Sequence, residues 1–185
     1  MAVGIGYDVV LAGDYAQRPA GKTLPTLSMG NLRMALLETA GELRLFGPAR
    51  GCALHLLLLQ AFARGAAAKL LGGRIMFWGE KLNCGPFAFR VGDQRKRWGS
   101  CSQRAGRLPK ICLNWRALLL EPRLLDQLCV HELCHLREMN HSPAFHALML
   151  AANPNSKEDE RALGRAFAGL PPWAVHSSHF LNRRK

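Results

Sequence analysis

A chain of 185 residues with 49% apolar and 21% charged side chains is long enough to bury a core without covalent staples, which excludes the disordered and collagenous classes. The formal net charge is +12, and residues 51–110 carry eleven Lys/Arg against two Asp/Glu. Such a segment can follow polyphosphate or an acidic surface, but charge alone decides nothing. Six cysteines without a CxxC pair, and no basic-then-apolar secretory leader before them, fit a reducing cytoplasm.

Residues 1–50 read as an irregular, partly helical N-terminal region. The first thirty are rich in Gly and Pro, with a short strand at YDVVLA. Met34, Leu37 and Leu45 hint at a helix over 33–45 that FGPARG ends. A stronger helix is expected over 53–71, with Leu54, Leu57, Leu58, Ala61, Ala68 and Leu71 on one face and Gly72-Gly73 as its stop. Arg64 and Lys69 interrupt it and it is short for a bilayer span, so no membrane partner is expected. RIMFW, FAFRV and ICLNW then read as strands of a small sheet. Between the last two lies a basic connection whose Gly92, Gly99 and Gly106 could turn a hairpin or hold a bulge. A helix follows from Pro122, whose missing N–H suits a first helical turn. Residues 176–185 form a basic tail carrying His176 and His179.

The helix from Pro122 contains CVHELCHLREMNHSPAFH. At 100° per residue His131 and His135 stand one above the other, where one ion can take both. Leu125, Cys129, Leu133 and Leu136 fall on the far side and anchor the helix in the core. Glu132 points to the flank of the histidine face, close enough to hold a water without being a ligand, the zincin arrangement His-Glu-x-x-His. A catalytic zinc takes three protein ligands and keeps a fourth position open. His141 is the third, if the helix ends at Asn140, a residue tolerant of left-handed geometry, and the chain turns back. Chance alone gives such a motif about once in a hundred chains of this composition. Glu138, Cys134 and His146 are weaker ligand candidates, read respectively as a solvated helix end, a small buried residue and a packing residue.

RWGSCS, LNW, EPRLLDQLCVHELCHL and MNHSPAF together resemble the YgjP-type putative metal-dependent hydrolases, relatives of the SprT-like metallopeptidases, over residues 90–150. The resemblance implies an α+β, zincin-like fold in which a small antiparallel sheet packs on the HExxH helix, with the peptidase domain over 51–175. It also implies Zn2+ ligands at His131, His135 and His141, a catalytic carboxylate at Glu132, and Trp115 packed beneath the site. Arg97, Trp98, Gly99 and Ser100 match a family signature. Arg97, Trp98, Ser100 and Asn114 are the candidate substrate-binding residues. Two positions depart from the pattern: His146 stands where relatives often have tryptophan, and residues 1–50 lack the long strand-rich start that relatives tend to have.

The function expected is a zinc metallopeptidase acting on a peptide or protein that adds as a strand beside FAFRV and ICLNW. The alternative is a basic nucleic-acid-binding module with a structural zinc closed by Cys134, Glu138 or His146. In a combined reading, nucleic acid follows the basic 90–110 segment through Arg95, Lys96, Arg104 and Arg107 while Trp98 stacks on a base.

Overall fold

A computed structural model describes residues 8–13, 15–20, 26–29, 32–39, 42–47 and 53–175; the expected tail at 176–185 lies outside them. The chain divides into two compact units, residues 1–63 with 170–185, and residues 64–169.

In the first unit β1 (Asp8–Gly13), β2 (Thr26–Met29), β3 (Leu32–Thr39) and β4 (Glu42–Phe46) form one sheet in the order β1-β4-β3-β2. β1 runs parallel to β4, and the other pairs are antiparallel. The strand expected at YDVVLA is there as β1. The helix expected over 33–45 is not: the described residues of that range belong to β3 and β4, and the N-terminal region is strand-rich among its described residues. Three apolar positions were a thin basis for a helix. In ELRLF, Leu43 and Leu45 alternate about Arg44, which is the period of a strand; Arg44 is exposed and Leu45 buried.

The helix α1 (Ala53–Lys81) runs through both of the glycines expected to stop it, so RIMFW is helical and not a strand. Its buried stripe, Ala63, Ala67, Leu71, Ile75 and Trp78, continues at steps of four and three past Gly72. A glycine costs a helix about 1 kcal/mol relative to alanine, less than burying Ile75 and Trp78 returns. Gly72 also has a packing reason, since a Cβ there would stand 3.4 Å from the Phe89 ring. Ala61 and Ala68, expected on the apolar face, are exposed. Within the first unit, Gln60 on α1 donates to the Trp173 carbonyl at 2.7 Å, at the short helix α5 (Pro172–Val175).

The second unit holds β5 (Ala88–Gly92), β6 (Gly99–Ser102) and β7 (Lys110–Asn114) in the order β5-β7-β6. It adds the helices α2 (Pro122–Cys134), α3 (Pro143–Ala152) and α4 (Ser156–Ala166). The α+β class expected from the sequence is the one observed. FAFRV and ICLNW supply β5 and β7; β7 is central, and β5 and β6 are the outer strands among the described residues. β6 pairs antiparallel with β7, and β5 parallel to it. Strand alternation gives the sheet two chemically different faces. Phe89, Ile111 and Cys101 are in register on one, and Arg90, Cys112 and Ser100 on the other.

Polar clamps fix α2 in this unit. Asp126 accepts from Arg74 through two nitrogens, one at 2.5 Å, and from the Trp78 indole at 2.9 Å. Arg123 pairs with the buried Asp159 of α4, and Asn153 donates to both Gln127 and Asp159 at 2.8 Å. Around them pack Ile111, Leu113, Trp115, Leu133, Phe145 and Met149, all below 2% exposure. Among the described residues no helix is long and apolar enough to cross a membrane.

Candidate metal centre

HELCH lies on the last turn of α2, with His135 as the C-cap residue (φ −64°, ψ −16°). The helix therefore ends before Asn140. Its last carbonyls are taken up in a tight turn, in which Leu136 N donates to Leu133 O and Glu138 N to Cys134 O, both at 3.0 Å. Asn140 is not left-handed; among the described residues Asn83 is the non-glycine with positive φ. The turn still returns His141 to the other two imidazoles, and Ser142 then caps α3 by accepting from Phe145 N.

The three Nε2 atoms converge. His131 Nε2 stands 3.2 Å from His135 Nε2 and 3.2 Å from His141 Nε2, and one ligand atom from each histidine lies within 4.8 Å of the others. Nitrogens each about 2.0–2.1 Å from a tetrahedral zinc would stand roughly 3.3 Å apart, so the donor set fits that ion. The outer nitrogens are occupied as a metal site needs. His131 Nδ1 meets Glu160 Oε1 at 2.9 Å, and His135 Nδ1 meets the Glu138 carbonyl at 3.1 Å. Both contacts fix the tautomer with Nδ1 protonated and leave Nε2 free to ligate. Burial holds His131 and His135 below the ordinary histidine value, and neighbouring imidazole charge adds to the effect. Unprotonated imidazole is the ligating form.

Phe145 forms the apolar wall of this cluster. Fully buried, its ring centroid lies 5.0, 4.6 and 4.8 Å from those of His131, His135 and His141. Trp115, which the resemblance placed beneath the site, is fully buried, and its indole donates to Asp93 Oδ1 at 2.9 Å. Glu160 was missed in the sequence. It stands 29 positions from His131 and comes from a charged helix, α4, that no spacing rule connects to the motif. The general need of a ligating imidazole for a carboxylate or carbonyl partner was the only signal available.

Glu132 is 4% exposed, and its Oε2 is a buried atom without a hydrogen-bond partner. Burial pushes its carboxyl up to about 8, while the charge of Arg97 pulls the other way. The carboxylate rests against β6 at Gly99, where any Cβ would collide with it; here the glycine of RWGSCS serves close approach.

The four candidate substrate residues separate. Arg97 is exposed and near enough to act on the Glu132 charge. Trp98 is buried, its indole donating to Leu163 O at 2.9 Å and its ring 4.0 Å from that of Phe167; a base cannot stack on it. Asn114 is fully buried and ties down the connection before β6 by donating to the Gln94 and Arg97 carbonyls at 2.7 and 3.0 Å. Both are scaffold because their polar atoms are already used by the chain. Ser100 lies on the sheet face away from Glu132. Cys134 is buried, a setting that pushes its thiol up to about 11, with Cys84 and Arg137 as its charged neighbours. His146 is exposed beside Lys157, Glu160 and Arg161.

Comparison with known proteins gives the class first: residues 40–166 match a metallopeptidase domain, and the protein is a metal-dependent hydrolase. The chain belongs to the YgjP-like metallopeptidase family, whose domain spans more than half of its length. Among solved structures, the metallopeptidase zymogen of Pyrococcus abyssi abylysin is 23% identical, with a TM-score of 0.46, over 55% of this chain and 95% of that one. A likeness of that extent carries no argument about chemistry. No curated protein matches the sequence.

Proposed function

We propose that the protein is a zinc-dependent peptidase in which His131, His135 and His141 hold the ion and Glu132 is the general base. The observation that carries this reading is the convergence of three Nε2 atoms beside a buried carboxylate with an unpartnered oxygen. Bound there, zinc supplies Lewis acidity that polarises a carbonyl and brings the pKa of water toward neutrality. Glu132 accepts the proton of the attacking water and returns it to the leaving amine. Gly99 keeps room for that carboxylate, and Phe145 excludes water from behind the imidazoles. β6 is an edge strand, so a peptide can add along it by backbone hydrogen bonds and pass Glu132 at Gly99.

A structural zinc in a nucleic-acid module would want a fourth protein ligand. Among the described residues the cluster of possible ligands comprises the three histidines, which favours the open, catalytic type. Elemental analysis of purified protein together with cleavage of a random peptide library tests the reading. About one zinc per chain with metal-dependent cleavage supports it; a loaded protein that cleaves no peptide overturns the peptidase assignment.

A further inference from the structure

The sheet face turned away from Glu132 carries a second concave site. A cavity of about 250 Å3 is lined by Arg90, Ser100, Ser102, Arg104, Arg107 and Lys110 among others. Its position follows from strand alternation. Gly99 abuts the Glu132 carboxylate, and the Glu132 charge acts on Cys101, so Ser100 and Ser102 point the other way, in register with Cys112 and Lys110 of β7. Arg90 lies opposite Cys112 on β5. The connection from β6 to β7 closes the cavity through a tight turn in which Arg107 N donates to Arg104 O at 3.1 Å. Gly106 makes that turn possible by taking φ +70°, and both arginines of RAGR thereby reach the same cavity.

Four cations and two hydroxyls converge here, and no carboxylate lines the space. Elsewhere in the second unit some arginines are paired, Arg64 and Arg116 with Asp93, Arg74 with Asp126, and Arg123 with Asp159, while Arg95, Arg97, Arg161 and Arg165 form no ion pair among the described residues; what sets the cavity apart is that four cations line one space with no carboxylate among them. Among the described residues none of Arg90, Arg104, Arg107 and Lys110 has a side-chain ion pair or hydrogen bond. Like charges gathered in a concave, partly enclosed space repel one another and raise the local potential, which a bound anion relieves. Guanidinium forks match the oxygens of phosphate, and serine hydroxyls add donors of the same reach.

We infer that this cavity is a binding site for a phosphate group, separate from the metal centre on the opposite face of the sheet. Phosphate of a small compound and phosphate of a nucleic-acid backbone present the same chemistry to it. Of the four residues expected from sequence to contact a backbone, Arg104 and Arg107 line the cavity, whereas Arg95 and Lys96 do not.

The test is calorimetric titration of the zinc-loaded full chain with inorganic phosphate at low chloride, for the parent, for Arg104→Gln/Arg107→Gln, and for Arg104→Lys/Arg107→Lys. The expected result is saturable binding by the parent, weakened about tenfold or more in the Gln pair and less in the Lys pair, at unchanged zinc content. A single-stranded oligonucleotide that displaces phosphate with a steep salt dependence identifies a nucleic-acid source. One that does not displace it identifies a small phosphate compound. No binding by the parent, or equal binding by the Gln pair, overturns the inference, and neither outcome bears on hydrolysis at the metal.

Discussion

Replacing Glu160 removes the side-chain partner that His131 Nδ1 has among the described residues, a contact of 2.9 Å. A charge-assisted hydrogen bond contributes about 1.5–3 kcal/mol when shielded, and 1.4 kcal/mol is a factor of ten in affinity. The two side chains are 21% and 31% exposed, so water screens part of the interaction and the lower end applies. Glu160→Ala should therefore weaken zinc binding by about tenfold, within the 10–100-fold typical of a lost outer partner. Glu160→Gln, which keeps an acceptor oxygen without its charge, should fall between. Chelator competition reads both affinities, and thermal melting separates them from a general loss of fold. If Glu160→Ala binds zinc as tightly as the parent, the imidazole does not depend on this carboxylate, and the role given to α4 is wrong.

His141→Ala should lose zinc affinity by more than Glu160→Ala does, since a ligand and not its support is removed; full retention measured by elemental analysis would strike His141 from the donor set. Gly99→Ala forces a Cβ into the Glu132 carboxylate and should cost about 1–3 kcal/mol of stability, with turnover falling while zinc is kept; an unchanged melting curve and rate would show that the close approach is dispensable. Asp93 titrates below the ordinary carboxylate value: burial pushes it up, but hydrogen bonds from Arg116 and Trp115 and the charges of Arg116 and Arg64 outweigh that. Its native pKa lies below the unfolded one, so its contribution is complete above the unfolded value and is lost as pH falls through the native value. Acid titration of stability should accordingly be shallower in Asp93→Asn than in the parent, and superimposable curves would contradict the sign.

The convergence of His131, His135 and His141 was legible because their spacing is periodic. Two histidines at a helical interval announce a shared face, and a third a few residues on needs only a turn. The turn itself was misread, because a left-handed Asn140 is one way to end a helix and a C-cap followed by a tight turn is another. α1 was cut short for the opposite reason: glycine is a strong local stop, but the stripe through Ile75 and Trp78 outweighs it. β6 was invisible to apolar patterning because GSCS is small and polar, being chosen for room beside Glu132 on one face and hydroxyls on the other. Glu160, Phe145 and the cationic cavity arise from contacts between elements, where linear spacing holds no information. The N-terminal strands were hidden by short, Gly-rich segments whose alternation is visible only in ELRLF.

In the proposed reaction Glu132 moves the proton while His131, His135 and His141 hold the ion. Hydrolysis of one cleavable peptide by parent and Glu132→Gln, each loaded with the same measured amount of zinc, tests it most directly. A rate lower by about 10²–10⁴-fold at equal zinc content and equal melting temperature is the result predicted, because an amide cannot accept the water proton. An undiminished rate, or a variant that can no longer be loaded with zinc, would contradict it.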